Sequence, residues 1–326
     1  MSRSQLNRQI ESGRGYLLTR LRRRELATRA PADCPHKNWD GKGEAYLALN
    51  VVLALGDQLG RRDRNRLRRR LLNTQVGGAW DYTDGGSGPD ADTSASAIRA
   101  LDRLGESIDL SGIATFVNPD SGLHNTFRVA GEYAGLQLPP QSRERHFGAH
   151  PCVLPNVWLL LHERGQLRDL PIDLQSGMQG DDGLWAAYFY LSPYYSTRLL
   201  CELLPDSGAA YDEPLRRTLN GLLGSDVPAS ATQTAEVLIS LLEVARRFPE
   251  RSEEIADRAS ELAARLRRTQ REDGSWDGEV IWRFVHRTHP EPVDGFDHYR
   301  VHSTSLAVRA LGSWQASCRP RSAGLS

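Results

Sequence analysis

Asp90 and Asp92 stand two residues apart in Gly88-Pro89-Asp90-Ala91-Asp92-Thr93-Ser94-Ala95, where a glycine-rich turn runs into a helix. The start of a helix carries a partial positive charge that favours carboxylates, while two close carboxylates resist being ionised together. One of the pair is therefore expected to keep its proton and serve as a general acid. In an extended segment positions i and i+2 point the same way, so both acids can face one site. The same residues would equally make a solvated turn in which Asp90 only caps the helix. The choice between acid and cap depends on the scaffold that presents the pair.

That scaffold repeats. Gly/Asp-rich turns recur at Trp39-Asp40-Gly41, Gly77-Gly78-Ala79-Trp80, Pro119-Asp120-Ser121-Gly122, Asp181-Asp182-Gly183-Leu184-Trp185, Ser225-Asp226-Val227-Pro228 and Asp273-Gly274-Ser275-Trp276, six in all. After each comes a segment poor in charge: 45–55, 93–104, 153–162, 194–204, 232–244 and 302–314. These are predicted to be inner, mostly buried helices. Before each lies a more polar segment, clearest at 61–75 and 253–270 and weaker at 108–117 and 164–179, predicted to form outer helices. Alternating inner and outer helices predict an all-α (α/α)6 barrel, and no sustained period-2 alternation argues for a substantial sheet. The turns leading into the inner helices then gather at one end, whose mouth is the expected site. We expect one barrel over residues 1–314 and a polar tail over 315–326.

Bulk properties agree with such a chain. Its 326 residues allow one large domain or two average ones, and 39% hydrophobic with 25% charged residues is ordinary for a soluble globular protein. The formal net charge is zero, so no global basic field points to nucleic acid. The arginine-rich run 61–70 reads as the solvated outer face of a helix whose leucines, at 67, 71 and 72, face inward. Cys34, Cys152, Cys201 and Cys318 are scattered without metal-type spacing, which argues against a disulfide scaffold or a cysteine-rich metal site. No secretory leader and no membrane-spanning run is expected, and the expected location is the cytoplasm.

Three of the turns share a finer pattern: Gln75-Val76-Gly77-Gly78-Ala79-Trp80, Gln179-Gly180-Asp181-Asp182-Gly183-Leu184-Trp185 and Gln270-Arg271-Glu272-Asp273-Gly274-Ser275-Trp276. Glutamine can bond free backbone groups at a helix end and stack on the indole, so each unit would staple one hairpin to the next. The pattern resembles the QW repeat of squalene-hopene cyclases and other class II terpene cyclases. Gly77-Gly78-Ala79-Trp80 followed ten residues on by Asp90-Ala91-Asp92-Thr93 is similar to that family's approach to its DxDD acid motif, in the DxDT form found among cyclases that protonate an allylic diphosphate. Ala229-Ser230-Ala231-Thr232-Gln233-Thr234-Ala235 and Phe296-Asp297-His298-Tyr299-Arg300 resemble further family marks, in the same order along the chain.

The resemblance implies a protonation-initiated isomerase of isoprenoid, natural-product biosynthesis. Asp92 would donate the proton to a terminal alkene, Asp90 would share and orient it, and Thr93 replaces the last Asp of the motif. Asn156 would take the place of a histidine that assists the acid; an asparagine can hydrogen-bond the acid but cannot hold its charge. The substrate wall would draw on Tyr82, Trp185, Phe189, Tyr190, Tyr194, Tyr195 and Tyr299, because aromatic faces stabilise passing carbocations. The same aromatics also suit an ordinary helical core, and Trp80, Trp185 and Trp276 suit staples better. Arg283, Arg287 and Arg300 are candidates to pair with a diphosphate. The proton chemistry asks for no cofactor and no protein-bound metal; Mg²⁺ enters only if the substrate is a diphosphate.

The chain departs from the family in having one barrel where larger members place the cavity between two domains. The cavity must then lie in the barrel mouth, or a second copy or partner chain closes it. The loop Gly85-Gly86-Ser87-Gly88 lacks the aromatics that hopene cyclases carry there, which suits a shorter cascade. We expect a sesqui- or diterpenoid diphosphate or a prenylated aromatic as substrate, not squalene. Two rivals share the barrel. A zinc prenyltransferase β-like protein would need a cysteine where Asp92 stands and a histidine where Arg300 stands. A non-catalytic isoprenoid- or protein-binding toroid would have no need for the Asp90/Asp92 pair. A carbohydrate-active barrel could use two carboxylates, but the QW units lend it no support.

Overall fold

A computed structural model describes residues 3–28, 43–82, 88–128, 148–167, 170, 177–284 and 293–318. Helices dominate them. The charge-poor segments form α2 (Glu44–Leu55), α4 (Ala91–Arg103), α6 (Leu154–Glu163), α7 (Tyr194–Leu203), α9 (Ala231–Val244) and α11 (Val301–Ser317). Each is buried along most of its length, as an inner helix with neighbours on every side must be. Each packs on the next, and α11 returns to α2, so the six close a ring. α11 runs to Ser317, past the expected boundary at 314 and into the segment assigned to the tail.

Outside this ring lie α1 (Arg3–Arg23), α3 (Arg61–Asn73), α5 (Ser111–Ala114), α8 (Asp212–Gly224) and α10 (Ser252–Arg268). α10 shows why such helices stay outside: it buries Ile255, Ala259, Leu262, Ala263 and Leu266, one stripe at helical spacing, and turns its charges outward. α3 likewise buries Leu67 and Leu71. Its arginines meet carboxylates of neighbouring segments, Arg68 on Glu106 at 2.9 Å and Arg70 on Glu44 at 2.7 Å. The third outer helix is a single turn, because Pro119 and the glycines at 112 and 122 leave the 108–117 segment little room to propagate. The segment 164–179 is described only in part, and Trp39-Asp40-Gly41, Cys34, Gly85 to Ser87 and Arg287 lie outside the described residues.

Two short antiparallel ribbons break the all-helical pattern. β1 (Gln75–Val76) pairs with β2 (Ala79–Trp80) inside a QW turn. β3 (Val280–Phe284) pairs with β4 (Val293–Phe296), a hairpin that the sequence periodicity does not announce.

The QW units act as staples, through hydrogen bonds. The indole Nε1 of Trp80 donates to Leu71 O at 2.7 Å and that of Trp276 to Leu266 O at 2.6 Å, capping the last turns of α3 and α10. Gln270 donates to Gly274 O and reaches Gln9 O on α1, while Gln179 reaches Pro214 O and Thr218 on α8. The backbone N–H of each tryptophan then donates to a hydroxyl in the first turn of the following inner helix: Trp80 to Ser94, Trp185 to Thr197 and Trp276 to Thr304. Gly274 sits at φ +86°, and a Cβ there would run into the Ser12 carbonyl of α1, so the turn needs glycine.

Candidate active site

In each of three alternate inner helices, the residue two before the stapled hydroxyl is the second of its helix: Asp92 on α4, Tyr195 on α7 and His302 on α11. The common staple sets these three at equivalent stations, all buried. Tyr195 donates to the Asp92 carboxylate at 3.1 Å. His302 stacks on Tyr46 of α2, and its imidazole is held far toward neutrality, near 3, by burial and by the charge of Arg198.

Asp92 lies at the end of a cavity in the barrel mouth and is 7% exposed. Three side chains donate to it. Tyr190 Oη meets Oδ2 at 2.6 Å, Asn156 Nδ2 meets Oδ1 at 2.9 Å, and Tyr195 Oη spans both oxygens. Burial pushes its carboxyl up to about 6, and the three donors hold it from rising further. Asp90 caps α4, accepting from the Thr93 N–H at 2.7 Å. Burial pushes Asp90 up to about 8, with the Thr93 N–H opposing and the Asp92 charge adding to the rise. The two readings of the sequence motif therefore hold together: Asp90 is a helix cap and also a carboxyl that keeps its proton.

Neighbouring segments brace this turn. Asp90 N–H donates to Trp80 O and Ala91 N–H to Thr126 O, which brings Thr126 and Phe127 to the cavity wall. The β3–β4 hairpin joins the segment before α7 by Leu191 N–H to Ile281 O and Arg283 N–H to Phe189 O. This sets Trp282 against three rings, with centroids 5.1 Å from Tyr46, 5.3 Å from Tyr82 and 6.2 Å from Tyr190. The cavity offers about 70 Å³ to the centre of a water-sized sphere, several times the roughly 10–15 Å³ that one water needs on that measure. Its lining is chiefly aromatic and apolar around two acids, with one cation, Arg283, which is paired with Asp294 at 2.8 Å. Acids in a dry, aromatic pocket can protonate a weak base such as an alkene and then stabilise the cation that forms.

Of the residues proposed from sequence, Tyr82, Asp90, Asp92, Thr93, Phe189, Tyr190 and Arg283 line the cavity, and Asn156 and Tyr195 hold Asp92 from behind. Four stand elsewhere. Trp185 is the buried staple of its turn, and Tyr194 begins α7 with its N–H on Ser192. Tyr299 gives its carbonyl to the Tyr16 hydroxyl on α1, and Arg300 turns to Asp273 at 2.9 Å, away from any diphosphate site at the mouth. Both lie outside the cavity because the left-handed backbone at Arg300, φ +55°, directs this segment toward α1 before α11 begins. Tyr46, Phe127 and Trp282 are cavity residues that sequence reasoning passed over. The apolar run Val280-Ile281-Trp282 marks a buried segment without separating core from cavity.

Behind the acid lies a buried charge cluster. Arg198 meets Glu202 at 2.6 Å, and Arg309 meets the same carboxylate at 2.9 Å. Burial opposes ionisation of Glu202, but Arg309 and Arg198 outweigh it and hold the group at about 2. Among the described residues no group of three or more histidines, cysteines or acids is arranged to hold a metal ion, and no helix is long and apolar enough to cross a membrane.

No protein-family model matches the sequence, and no curated protein matches it. Solved structures do match in fold. Type II terpene cyclase MstE from Scytonema, as a variant in complex with geranylgeranyl dihydroxybenzoate as substrate, superposes with a TM-score of 0.76 at 20% identity over 96% of this chain and 98% of its own. A second MstE variant, in complex with the product merosterolic acid A, matches with the same figures. ent-Copalyl diphosphate synthase from Streptomyces platensis matches at 0.58 and 18% identity, over 82% of this chain and 50% of its own. The expected α/α toroid of the terpene cyclases is the fold of this protein.

Proposed function

We propose that this protein is a class II terpene cyclase, an isomerase that protonates the terminal alkene of a prenylated aromatic and drives its cyclisation. The observation that carries the reading is the buried Asp92, anchored by Tyr190, Tyr195 and Asn156 in an aromatic cavity that Asp90 also lines. The full-length match to a single-barrel cyclase in complex with geranylgeranyl dihydroxybenzoate favours a prenylated aromatic over a diphosphate.

In this reading the terminal isoprene unit occupies the space at the acids. The alkene π electrons take the Asp92 proton, leaving a carboxylate and a tertiary cation. The next double bond attacks that cation, forming a ring and passing the charge along the chain. Tyr46, Tyr82, Tyr190 and Trp282 present ring faces and edges along the path. Loss of a proton from the last cation to solvent, and return of one from solvent to Asp92, leave substrate and product with the same atoms. The three donors on Asp92 stabilise the carboxylate left behind and so strengthen the acid, while neutral Asp90 spares it a second charge. Asp92 is thus the donor and Asp90 its proton-holding partner.

The chemistry needs no cofactor; a diphosphate substrate would bring Mg²⁺ with it, and Arg283 is the cavity's cation for such a headgroup. A single barrel working on a small isoprenoid in the cytoplasm, with a second copy or a partner chain closing the mouth, completes the reading. The test is incubation of the purified protein with farnesyl and geranylgeranyl dihydroxybenzoates and with the corresponding diphosphates. Cyclised aromatic product is expected, with Asp92→Asn slower by about 10²- to 10⁴-fold, the range of general acid catalysis. Equal turnover by the two proteins would remove Asp92 from its role, and turnover of none of the four would favour an isoprenoid-binding scaffold.

A further inference from the structure

Two residues on α4 and two on α6 form a continuous hydrogen-bonded frame that runs from the acid outward. Asp92 and Arg99 are seven apart on α4, and Asn156 and Glu163 are seven apart on α6, so each pair lies on one helix face two turns apart. Asn156 Nδ2 donates to Asp92 Oδ1 at 2.9 Å, to the Asp92 carbonyl at 3.0 Å and to Ser96 Oγ at 2.8 Å. Its other amide atom, Oδ1, accepts from Arg99 Nη1 at 2.9 Å. Arg99 is in turn clamped by Glu163 through two bonds of 3.0 Å, Nε to Oε2 and Nη2 to Oε1. Arg99 is 3% exposed and Asn156 1%.

We propose that Arg99, clamped by Glu163, is a positioning residue that fixes the Asn156 amide with its N–H toward Asp92 and thereby sets the strength of the catalytic acid. The amide has two orientations of equal shape and opposite polarity. A guanidinium can only donate, so it fixes Oδ1 on its own side and leaves Nδ2 for the carboxylate. Without Arg99 the buried Oδ1 would lack its donor and would turn to the hydroxyl of Ser96, which could donate to it. Asp92 would then lose a donor and face a carbonyl oxygen, which suits the protonated acid and not the carboxylate. The frame therefore gives the acid its readiness to release a proton. Glu163 extends the control outward, since it is partly exposed and also meets Arg103 at 3.1 Å.

The titratable and charged groups facing Asp92 are Asp90 on its own helix, Tyr46 on α2, Cys152 before α6, Tyr190 before α7, and Tyr195 and Arg198 on α7. The hydrogen bonds of Arg99 go to Asn156 and Glu163 and to none of these groups, although Tyr195 and Arg198 line a small cavity with it.

Activity measurements would rest on the proposed function, so the test reads the acid directly. The full chain, labelled with ¹³C at aspartate carboxyls, is titrated by NMR, and the Asp92 signal is the one missing from Asp92→Asn. Arg99→Met is expected to raise the Asp92 midpoint by about one pH unit, a tenfold weaker acid. Glu163→Ala, at a partly exposed site that tolerates change, is expected to shift it the same way by less, and it serves if Arg99→Met does not fold. Asn156→Ala combined with Arg99→Met should shift Asp92 no further than Asn156→Ala alone, because Arg99 acts only through the amide. Unmoved midpoints in both single variants, or full additivity in the double variant, would overturn the proposal. Absence of turnover on any isoprenoid would leave this titration as informative as before.

Discussion

The stations at α4 and α11 are built alike and do different work. In each, a tryptophan caps the preceding outer helix, its backbone N–H holds a hydroxyl of the inner helix, and a carboxylate is buried just before that helix. At α11 the carboxylate is Asp297, whose oxygens accept from Val301 N–H, Ser303 N–H and the Ser303 hydroxyl. No described cavity opens on it. At α4 Asp90 accepts from Thr93 N–H and lines a cavity, and Asp92 stands where α11 has the neutral His302. The difference is that donors of its own turn close the Asp297 station, while the α4 station opens on a cavity and its second carboxyl, Asp92, is held by side chains of other segments.

Matched substitutions put this contrast to work. Asp92→Asn is expected to lose turnover while its urea denaturation midpoint stays near that of the wild type. Asp297→Asn should do the reverse, costing about 3 kcal/mol as buried donors lose their carboxylate, with activity per folded molecule retained. A stable but inactive Asp297→Asn protein would put the chemistry at the wrong station. Next in size is Gly274→Ala. Left-handed backbone costs a residue with a Cβ about 1–2 kcal/mol, and crowding against Ser12 adds to it. Gly105→Ala, at φ +84° but facing open space, should show only the backbone part. Equal losses at the two sites would mean that the close approach of α1 to the turn is not tight.

The last effect expected is a pH dependence. Folding raises Asp90 from its ordinary 3.8 to about 8, so the folded state holds that proton more tightly than the unfolded chain. The stability this contributes is complete below the ordinary value and is lost as pH rises toward 8. Thermal midpoints should therefore fall as pH is raised from about 6 to about 9, and fall less in Asp90→Asn. Cyclisation should decline over the same rise as the pair gives up its last proton. A flat stability profile in the wild type would mean that Asp90 releases its proton at the same pH in the folded and the unfolded chain.

How much of this was legible before the structure follows from how local each signal is. The inner helices are readable because a helix surrounded by others must be poor in charge along its whole length, and 45–55 or 232–244 leaves no other reading. The short α5 was overestimated because its sequence has helical periodicity but too many turn formers around it. Asp92 was readable from its motif, and Asn156 from its place in the family's order. Tyr46 and Trp282 were not: an aromatic on an inner helix or a short strand looks the same in sequence whether it faces core or cavity. Only closure of the ring, which sets the β3–β4 hairpin against α2, assigns them. Arg300 and Tyr299 failed for the same reason, since a single left-handed residue turns them toward α1.

That closure has a consequence for biogenesis. The wall of the acid pocket draws Tyr46 from the first inner helix and Trp282 from the hairpin just before the last one. During synthesis, which delivers about 5–20 residues per second, Asp92 emerges from the ribosome many seconds before its cover exists. Until Val301–Ser317 has docked on α2 the ring is open, and the burial that raises both carboxyls is incomplete.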